Sequence, residues 1–112
     1  MVINMGLKSI RCIIFNENGL KMGSAALAIN TAINDKRVEQ DPAEWWEKAE
    51  IVMKKALEEA GNIRVDYLTV TTSASCLVCV DGNGEPLGKA FMVSDKRAER
   101  EVQIISEMKE FE

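Results

Sequence analysis

The sequence predicts an α/β domain in which three antiparallel strands precede a helix, one or two further strands and a second helix. Three observations carry this prediction. Short β-rich runs separated by turn residues fill the N-terminal part, and apolar residues then recur at helical spacing between Trp45 and Ala60. A second β-rich run at 65–80 is followed by a charged segment that contains helix-capping residues.

The three N-terminal strands are predicted at residues 2–5, 9–15 and 20–30. The second is rich in β-branched residues, which favour strands. Residues 16–19 (NENG) are predicted to form a turn because their glycine tolerates a positive φ. Connections this short favour an antiparallel meander. The polar residues 31–40 are interpreted as a connector.

The first helix is predicted to begin beside Asp41, which has the residue type of an N-cap. Pro42 then occupies the first helical position and Glu44 the third, which is a capping-box arrangement. Trp45 begins the core-facing positions, and the Gly-Asn pair at 61–62 ends the run.

The second half is predicted to contain a further strand region, a turn and a last helix. The run at 65–80 is interpreted as two strands broken near 72–75. Ser94 or Asp95 is predicted to cap the last helix. Its apolar positions share roughly one face: Ala98, Val102, Ile105 and Phe111. Three antiparallel strands, a helix and a further strand are the order in which a ribonuclease H-like domain begins.

Length and charge limit the classes of protein that remain. The 112 residues are expected to form a single domain, 1–112, with room for a modest core. A net charge of −4 argues against nucleic-acid binding, which usually needs a basic face. No apolar run approaches the roughly 20 residues of a membrane span, and the N-terminus lacks the layout of a signal peptide. We therefore expect neither a nucleic acid nor a membrane as partner.

The chain has no histidine, which removes the commonest general base and the usual zinc ligand. Cys12, Cys76 and Cys79 lie in apolar surroundings and are interpreted as reduced thiols of a cytoplasmic protein. A C-x-x-C pair can cycle as a disulfide, but positions i and i+3 of a strand point to opposite faces. Two buried structural thiols are therefore favoured over a redox module.

Two segments have both a structural and a chemical interpretation. The turn at 4–9 contains a glycine and a lysine, and the backbone N–H groups of such a turn can hold phosphate, although a plain turn is the simpler interpretation. The charged segment 95–101 is either an acid–base cluster or a salt-bridged helix start. Charge complementarity with the helix dipole favours the helix start.

Four stretches match a family pattern in the family's order: INMGLKSIRCIIFNENG, VEQDPAEWWE, VDGNGEPLGKAF and MVSDKRAERE. Together they resemble the N-terminal part of the FGGY carbohydrate kinases, most closely the xylulokinase-like members. The second stretch is close to the family's V/S-E-Q-D-P-x-x-W-W and is the most specific. The resemblance extends over nearly the whole chain.

The resemblance implies a partial N-terminal lobe of the ribonuclease H-like, actin-like ATPase type. In the family, ATP and sugar bind between two such lobes, and the γ-phosphate passes to a sugar hydroxyl with the help of Mg²⁺. Family members are several times longer, so the resemblance implies an N-terminal fragment that lacks the second lobe and the catalytic base. No catalytic residue and no metal ligand is assigned here, and the chain alone is expected to be inactive.

The resemblance assigns a phosphate hairpin for ATP to Asn4, Gly6, Leu7, Lys8, Ser9 and Arg11. Asn4 stands where the family has an aspartate that helps hold the metal, and an amide supplies no negative charge. Leu7 replaces a threonine whose hydroxyl reaches phosphate, and Lys8 is a candidate replacement contact. Gly6, Ser9 and Arg11 match, so the hairpin shape is expected to survive with weaker chemistry.

Sugar contacts are assigned by the same resemblance to Ser73, Ser75 and Asp95. Ser73 stands where a glutamine is common, and Ser75 where some members carry histidine. Asp95 is retained, although Val93 replaces a tryptophan of the family pattern.

Two hypotheses follow. In the first, the chain is the front part of a divergent sugar kinase and is completed by a missing C-terminal lobe. In the second, it is a stand-alone, non-catalytic binding or assembly module, an idea that Asn4 and Leu7 favour. Both predict exposed sheet edge or apolar surface, and hence a homodimer or a larger assembly.

Overall fold

The computed structural model describes residues 1–108 and shows two β-sheets and two helices there. The strands are Val2–Met5 (β1), Ser9–Phe15 (β2), Lys21–Ala28 (β3), Ala32–Asn34 (β4), Arg37–Gln40 (β5), Thr69–Thr72 (β6) and Ala90–Phe91 (β7). The helices are Pro42–Glu59 (α1) and Glu99–Ser106 (α2). The predicted α/β class is confirmed.

The larger sheet has the strand order β3-β2-β1-β6. Its first three strands pair antiparallel, as the meander prediction required, and β6 then pairs parallel to β1. A parallel neighbour needs a crossover connection, and α1 provides it. This arrangement leaves β6 at one edge of the sheet, with all four of its residues exposed.

The core lies between this sheet and α1. The sheet contributes fully or nearly fully buried side chains from β1 and β2, and the helix contributes small residues from one stripe: Ile3, Ile10, Cys12 and Ile14, with Ala49, Val52 and Ala56. Alanines on the buried face of the helix allow a close approach to the sheet. Gly23 on β3 is at the closest point, because a Cβ there would lie 2.2 Å from the Ala56 carbonyl oxygen.

Both predicted ends of α1 are confirmed, but the predicted capping box is wrong, because the Glu44 carboxylate binds Asn30 and Lys48 instead of the Asp41 N–H. The Asp41 carboxylate accepts a hydrogen bond from the Ala43 N–H at 3.0 Å, as an N-cap should. At the other end, Gly61 adopts φ +80, and the N–H of residue 62 donates to the Leu57 carbonyl at 2.8 Å. Gly61 itself donates to the Glu58 carbonyl at 3.1 Å, which completes a Schellman motif.

The predicted polar connector at 31–40 is wrong, since this segment forms a hairpin of β4 and β5. Asp35, at φ 53, makes the turn, and β7 pairs with β5 to complete a second sheet of order β4-β5-β7. The strands have three, four and two residues. Only β7 comes from about fifty residues further along the chain, whereas β4 and β5 pair locally in very short strands.

Only residues 69–72 of the second β-rich run form a strand, so the interpretation of two strands is wrong. Beyond β6, Ser75 adopts φ 64, and the chain then makes isolated bridges at Leu77 and Val80. The interpretation of two buried thiols is therefore wrong. Cys76 is partly buried and Cys79 is exposed, because neither lies in a covered strand.

Cys12 is fully buried in the core. Burial raises the pKa of the Cys12 thiol, which keeps it protonated and unreactive.

The start of the last helix also differs from the prediction. α2 begins at Glu99, and Ala98 occupies its N-cap position without a side-chain hydrogen bond. The Asp95 carboxylate binds the Val38 N–H and Arg97 instead. No described residue of α2 is buried, and the predicted apolar position at Phe111 lies outside the described residues. Neither helix of residues 1–108 has the length and apolarity needed to cross a bilayer.

The close approach at Gly23 yields a stability prediction. Gly23→Ala should lower the free energy of unfolding by about 1–3 kcal/mol, because its methyl group meets helix backbone rather than a movable side chain. Urea unfolding followed by circular dichroism measures the change.

Gly82→Ala is the matched control, since a Cβ at Gly82 meets nothing within 4 Å. Its effect should stay within about 0.5 kcal/mol. Equal effects of the two substitutions would contradict this account of the helix–sheet contact.

Candidate functional site

The turn between β1 and β2 is tight and open to solvent. Gly6 donates its N–H to the Ser9 carbonyl at 3.0 Å, and Leu7 and Lys8 are exposed at the tip. The Lys8 carbonyl accepts from the Ile29 N–H at 3.0 Å. Within residues 1–108, the N–H groups of Leu7 and Lys8 donate to no protein acceptor. These two amides are therefore available to an anion.

The strands that flank this turn bring the other predicted hairpin residues beside it. Asn4 on β1 is directly opposite Arg11 on β2. The Arg11 Nε donates to the Ser9 hydroxyl at 3.1 Å. The Asn4 side-chain oxygen lies near the turn, 3.4 Å from the position that a Cβ on Gly6 would occupy. All six predicted hairpin residues thus lie in one short segment of the sheet.

A cavity of about 290 Å³ opens beside the hairpin. It is lined by Gly6 and Leu7 from the hairpin, by Trp45 and Gln40, and by Ser73, Cys76 and Met92 among others. Ser73 is held there because its N–H donates to the Met5 carbonyl at 3.2 Å. The structure therefore brings one of the three predicted sugar contacts to the hairpin.

The other two predicted sugar residues are placed elsewhere. Ser75 is exposed and does not line the cavity. The Asp95 carboxylate is occupied by the protein: it accepts from the Val38 N–H at 2.8 Å and from Arg97 Nε and Nη2 at 2.8 and 2.7 Å. In this arrangement Asp95 has a structural contact, and none of the described contacts directs it to the cavity.

Arg97 links the segment after β7 to the second sheet. Its guanidinium lies 4.1 Å above the Phe91 ring and pairs with Glu39 at 2.6 Å. Hydrogen bonds from Arg97, aided by the Val38 N–H, hold the pKa of the Asp95 carboxyl well below its usual range. Asp95 and Arg97, the D-x-R of the family pattern, therefore bind the segment after β7 to residues of β5 and β7.

Gln40 is a site residue that the sequence prediction did not include. Its side chain is only 3% exposed, yet its amide is fully hydrogen-bonded. The Nε2 group donates to the Leu7 carbonyl and the Thr31 hydroxyl, each at 2.8 Å, and Oε1 accepts from the Trp45 indole N–H at 2.8 Å. The available signal was a glutamine directly before the N-cap and five residues before a tryptophan.

The described side chains near the hairpin offer few ligands for a divalent cation. Among residues 1–108, no three His, Cys, Asp or Glu side chains are grouped so that they could hold a metal ion. Asn4 offers the hairpin an amide oxygen without negative charge. Mg²⁺ prefers carboxylates together with substrate phosphates, so the described residues do not fit it by themselves.

Comparison with known proteins identifies the family. The sequence matches the FGGY family of carbohydrate kinases, N-terminal domain, over residues 1–112. The chain belongs to this family. A comparison with curated protein sequences gave no significant match.

Solved structures share the fold of this FGGY-family chain. The xylulose kinase from Rhodospirillum rubrum superposes with a TM-score of 0.87 at 22% identity, over 96% of this chain and 23% of that chain. The Plasmodium falciparum glycerol kinase, solved with ADP, gives 0.84 at 18% identity, over 94% and 22%. The gluconate kinase from Lactobacillus acidophilus gives 0.81 at 14% identity, over 94% and 22%.

The FGGY-family chain spans less than a quarter of the length of these structures. The predicted ribonuclease H-like, actin-like fold class is confirmed by the likeness to them.

The Asp95 contacts predict a pH dependence of stability. Because the folded-state pKa of Asp95 is lowered, its contribution is complete above the unfolded value of about 3.9 and is lost as pH falls below it. Asp95→Asn should therefore lower the free energy of unfolding at neutral pH. The difference from the unmodified chain should shrink as the pH is lowered towards about 2.

Denaturant unfolding across this pH range measures the difference. Asp66→Asn is the control, since Asp66 makes an exposed ion pair with Arg64, and such pairs contribute little. A difference for Asp95→Asn that is independent of pH would contradict the assignment.

Proposed function

We propose that this chain provides the phosphate hairpin and part of the adjoining cavity wall of an ATP-dependent carbohydrate kinase. The family match over residues 1–112 is the observation that carries the proposal. The open amides of Leu7 and Lys8, with the cations of Lys8 and Arg11 nearby, support a contact with the phosphates of ATP. The sugar would lie on the side of the cavity that Ser73 lines.

The same proposal holds that the chain alone does not transfer phosphate. Phosphoryl transfer depends on positioned positive charge, a metal and a group that orients the nucleophile. Asn4 offers the metal no negative charge, and the described residues do not group carboxylates for it. A second lobe would have to supply both the general base and the missing metal ligands.

We further propose a cytoplasmic location. The three cysteines are unpaired thiols in the structure, which is the state expected in a reducing compartment.

A stand-alone binding or assembly module is the second candidate. It is favoured by Asn4 and Leu7, and apolar surface is available for association: Trp46 is 68% exposed beside an apolar groove that Met53 and Val70 also line. The radius of gyration of 17.9 Å also exceeds the value of about 13 Å typical of a compact domain of this length. Such a module would associate as a homodimer or a larger assembly.

Nucleotide binding by the hairpin can be tested by amide NMR of the chain alone. Titration with Mg·ATP should shift the signals of residues 6–9 at millimolar ligand. Asn4→Asp combined with Leu7→Thr should enlarge the response, because it restores a carboxylate and a hydroxyl. No shift at residues 6–9 in either protein would contradict the phosphate assignment.

The two candidate functions differ in what a second lobe should do. If the chain is part of a kinase, adding a partner chain that carries the second lobe should give ATP-dependent phosphorylation of at least one sugar in a broad panel. If it is a stand-alone module, no sugar should be phosphorylated even with Asn4→Asp and Leu7→Thr. Light scattering should then show a dimer or larger assembly, and a clean monomer without kinase activity would contradict both candidates.

A further inference from the structure

We infer that Gln40 is a positioning residue for the phosphate hairpin, acting through the peptide unit that joins Leu7 to Lys8. The hydrogen bonds that support this inference belong to the chain itself. The role in phosphate binding rests on the proposed function.

The orientation of the Gln40 amide follows from its partners. An indole N–H can only donate, so the atom that faces Trp45 must be the oxygen Oε1. The NH₂ group therefore faces the other two partners, the Leu7 carbonyl and the Thr31 hydroxyl. Both of its hydrogens are used, and no buried side-chain nitrogen or oxygen of the described residues is left without a partner.

A hydrogen bond to the Leu7 carbonyl also fixes the Lys8 N–H. Both groups belong to one planar peptide unit, and every described peptide bond of the chain is trans. In a trans unit the C=O and the N–H point in opposite directions. With the Leu7 carbonyl turned inward to a buried amide, the Lys8 N–H is turned outward, where it has no protein acceptor within residues 1–108.

The next peptide unit is held in the same way from another element. The Lys8 carbonyl accepts from the Ile29 N–H at 3.0 Å, which orients the unit that joins Lys8 to Ser9. Hydrogen bonds thus orient two successive peptide units of the hairpin. One bond comes from a buried side chain and the other from a backbone N–H. Of these two hydrogen bonds, the one from Gln40 can be removed by a side-chain substitution.

The same amide connects the hairpin to α1. Trp45 lies in the first turn of α1, lines the cavity and donates to Gln40 Oε1. A displacement of the start of α1 would therefore be transmitted to the hairpin through one side chain. This contact gives the Q-D-P-x-x-W-W stretch a role in positioning the hairpin, in addition to identifying the family.

Gln40→Met tests the inference, because methionine has a similar length and lacks both donors and the acceptor. Amide NMR of the full chain should show the signals of Leu7, Lys8 and Ser9 displaced. Inorganic tripolyphosphate serves as the anion probe. Its affinity should fall about three- to tenfold, the range expected for one hydrogen bond.

Two control variants separate positioning from general loss of stability. Val52→Ala removes buried core volume away from the hairpin and should lower the melting temperature without moving the hairpin signals. Gln103→Met changes the other glutamine of the chain, which is exposed on α2, and should do neither. Hairpin signals that stay in place in Gln40→Met would overturn the inference, as would equal displacement in Val52→Ala.

Two further outcomes keep the test decisive. If Gln40→Met does not fold, a through-hydrogen-bond coupling between Gln40 Nε2 and the Leu7 carbonyl carbon in the unmodified chain replaces it, and its absence overturns the inference. If the unmodified chain binds no tripolyphosphate, the proposed phosphate contact fails, and positioning is then decided by the hairpin signals alone.

Discussion

A single buried amide connects the parts of this molecule that matter for its chemistry. Gln40 stands at the end of β5, directly before the N-cap of α1, and its side chain reaches the β1–β2 turn. Burying an amide is unfavourable unless each donor and acceptor is paired, and here three hydrogen bonds of 2.8 Å satisfy it. The helix start, the second sheet and the hairpin must therefore hold their relative positions for the amide to remain paired.

This constraint holds the backbone of the hairpin independently of the side chains at its tip. The contacts of Gln40 reach the hairpin through a backbone carbonyl, so they do not depend on the side chain at position 7. Asn4 likewise retains its place opposite Arg11 in the sheet although it lacks a negative charge. The backbone of the hairpin is therefore held by contacts that its exposed side chains do not make.

The sequence was sufficient for those features whose causes are local. The N-cap at Asp41, the Schellman end at Gly61 and the meander of β1 to β3 all follow from residue type and period. The second sheet was missed because its strands have only two to four residues, and because β7 joins β5 from about fifty residues further along the chain. At the site, the family pattern located the hairpin, but Asp95 and Gln40 could be understood only once their distant partners, Val38 and Leu7, were known.

The central claim is that Gln40 couples the start of α1 to the hairpin, and a double-mutant cycle of Gln40→Met and Trp45→Phe tests it most directly. Trp45→Phe removes the indole donor and retains an aromatic ring. The free energies of unfolding of the four proteins should give a coupling energy of about 0.5–3 kcal/mol, since the two residues share one hydrogen bond. Additive effects, within about 0.3 kcal/mol, would show that the amide and the indole act independently and would contradict the account.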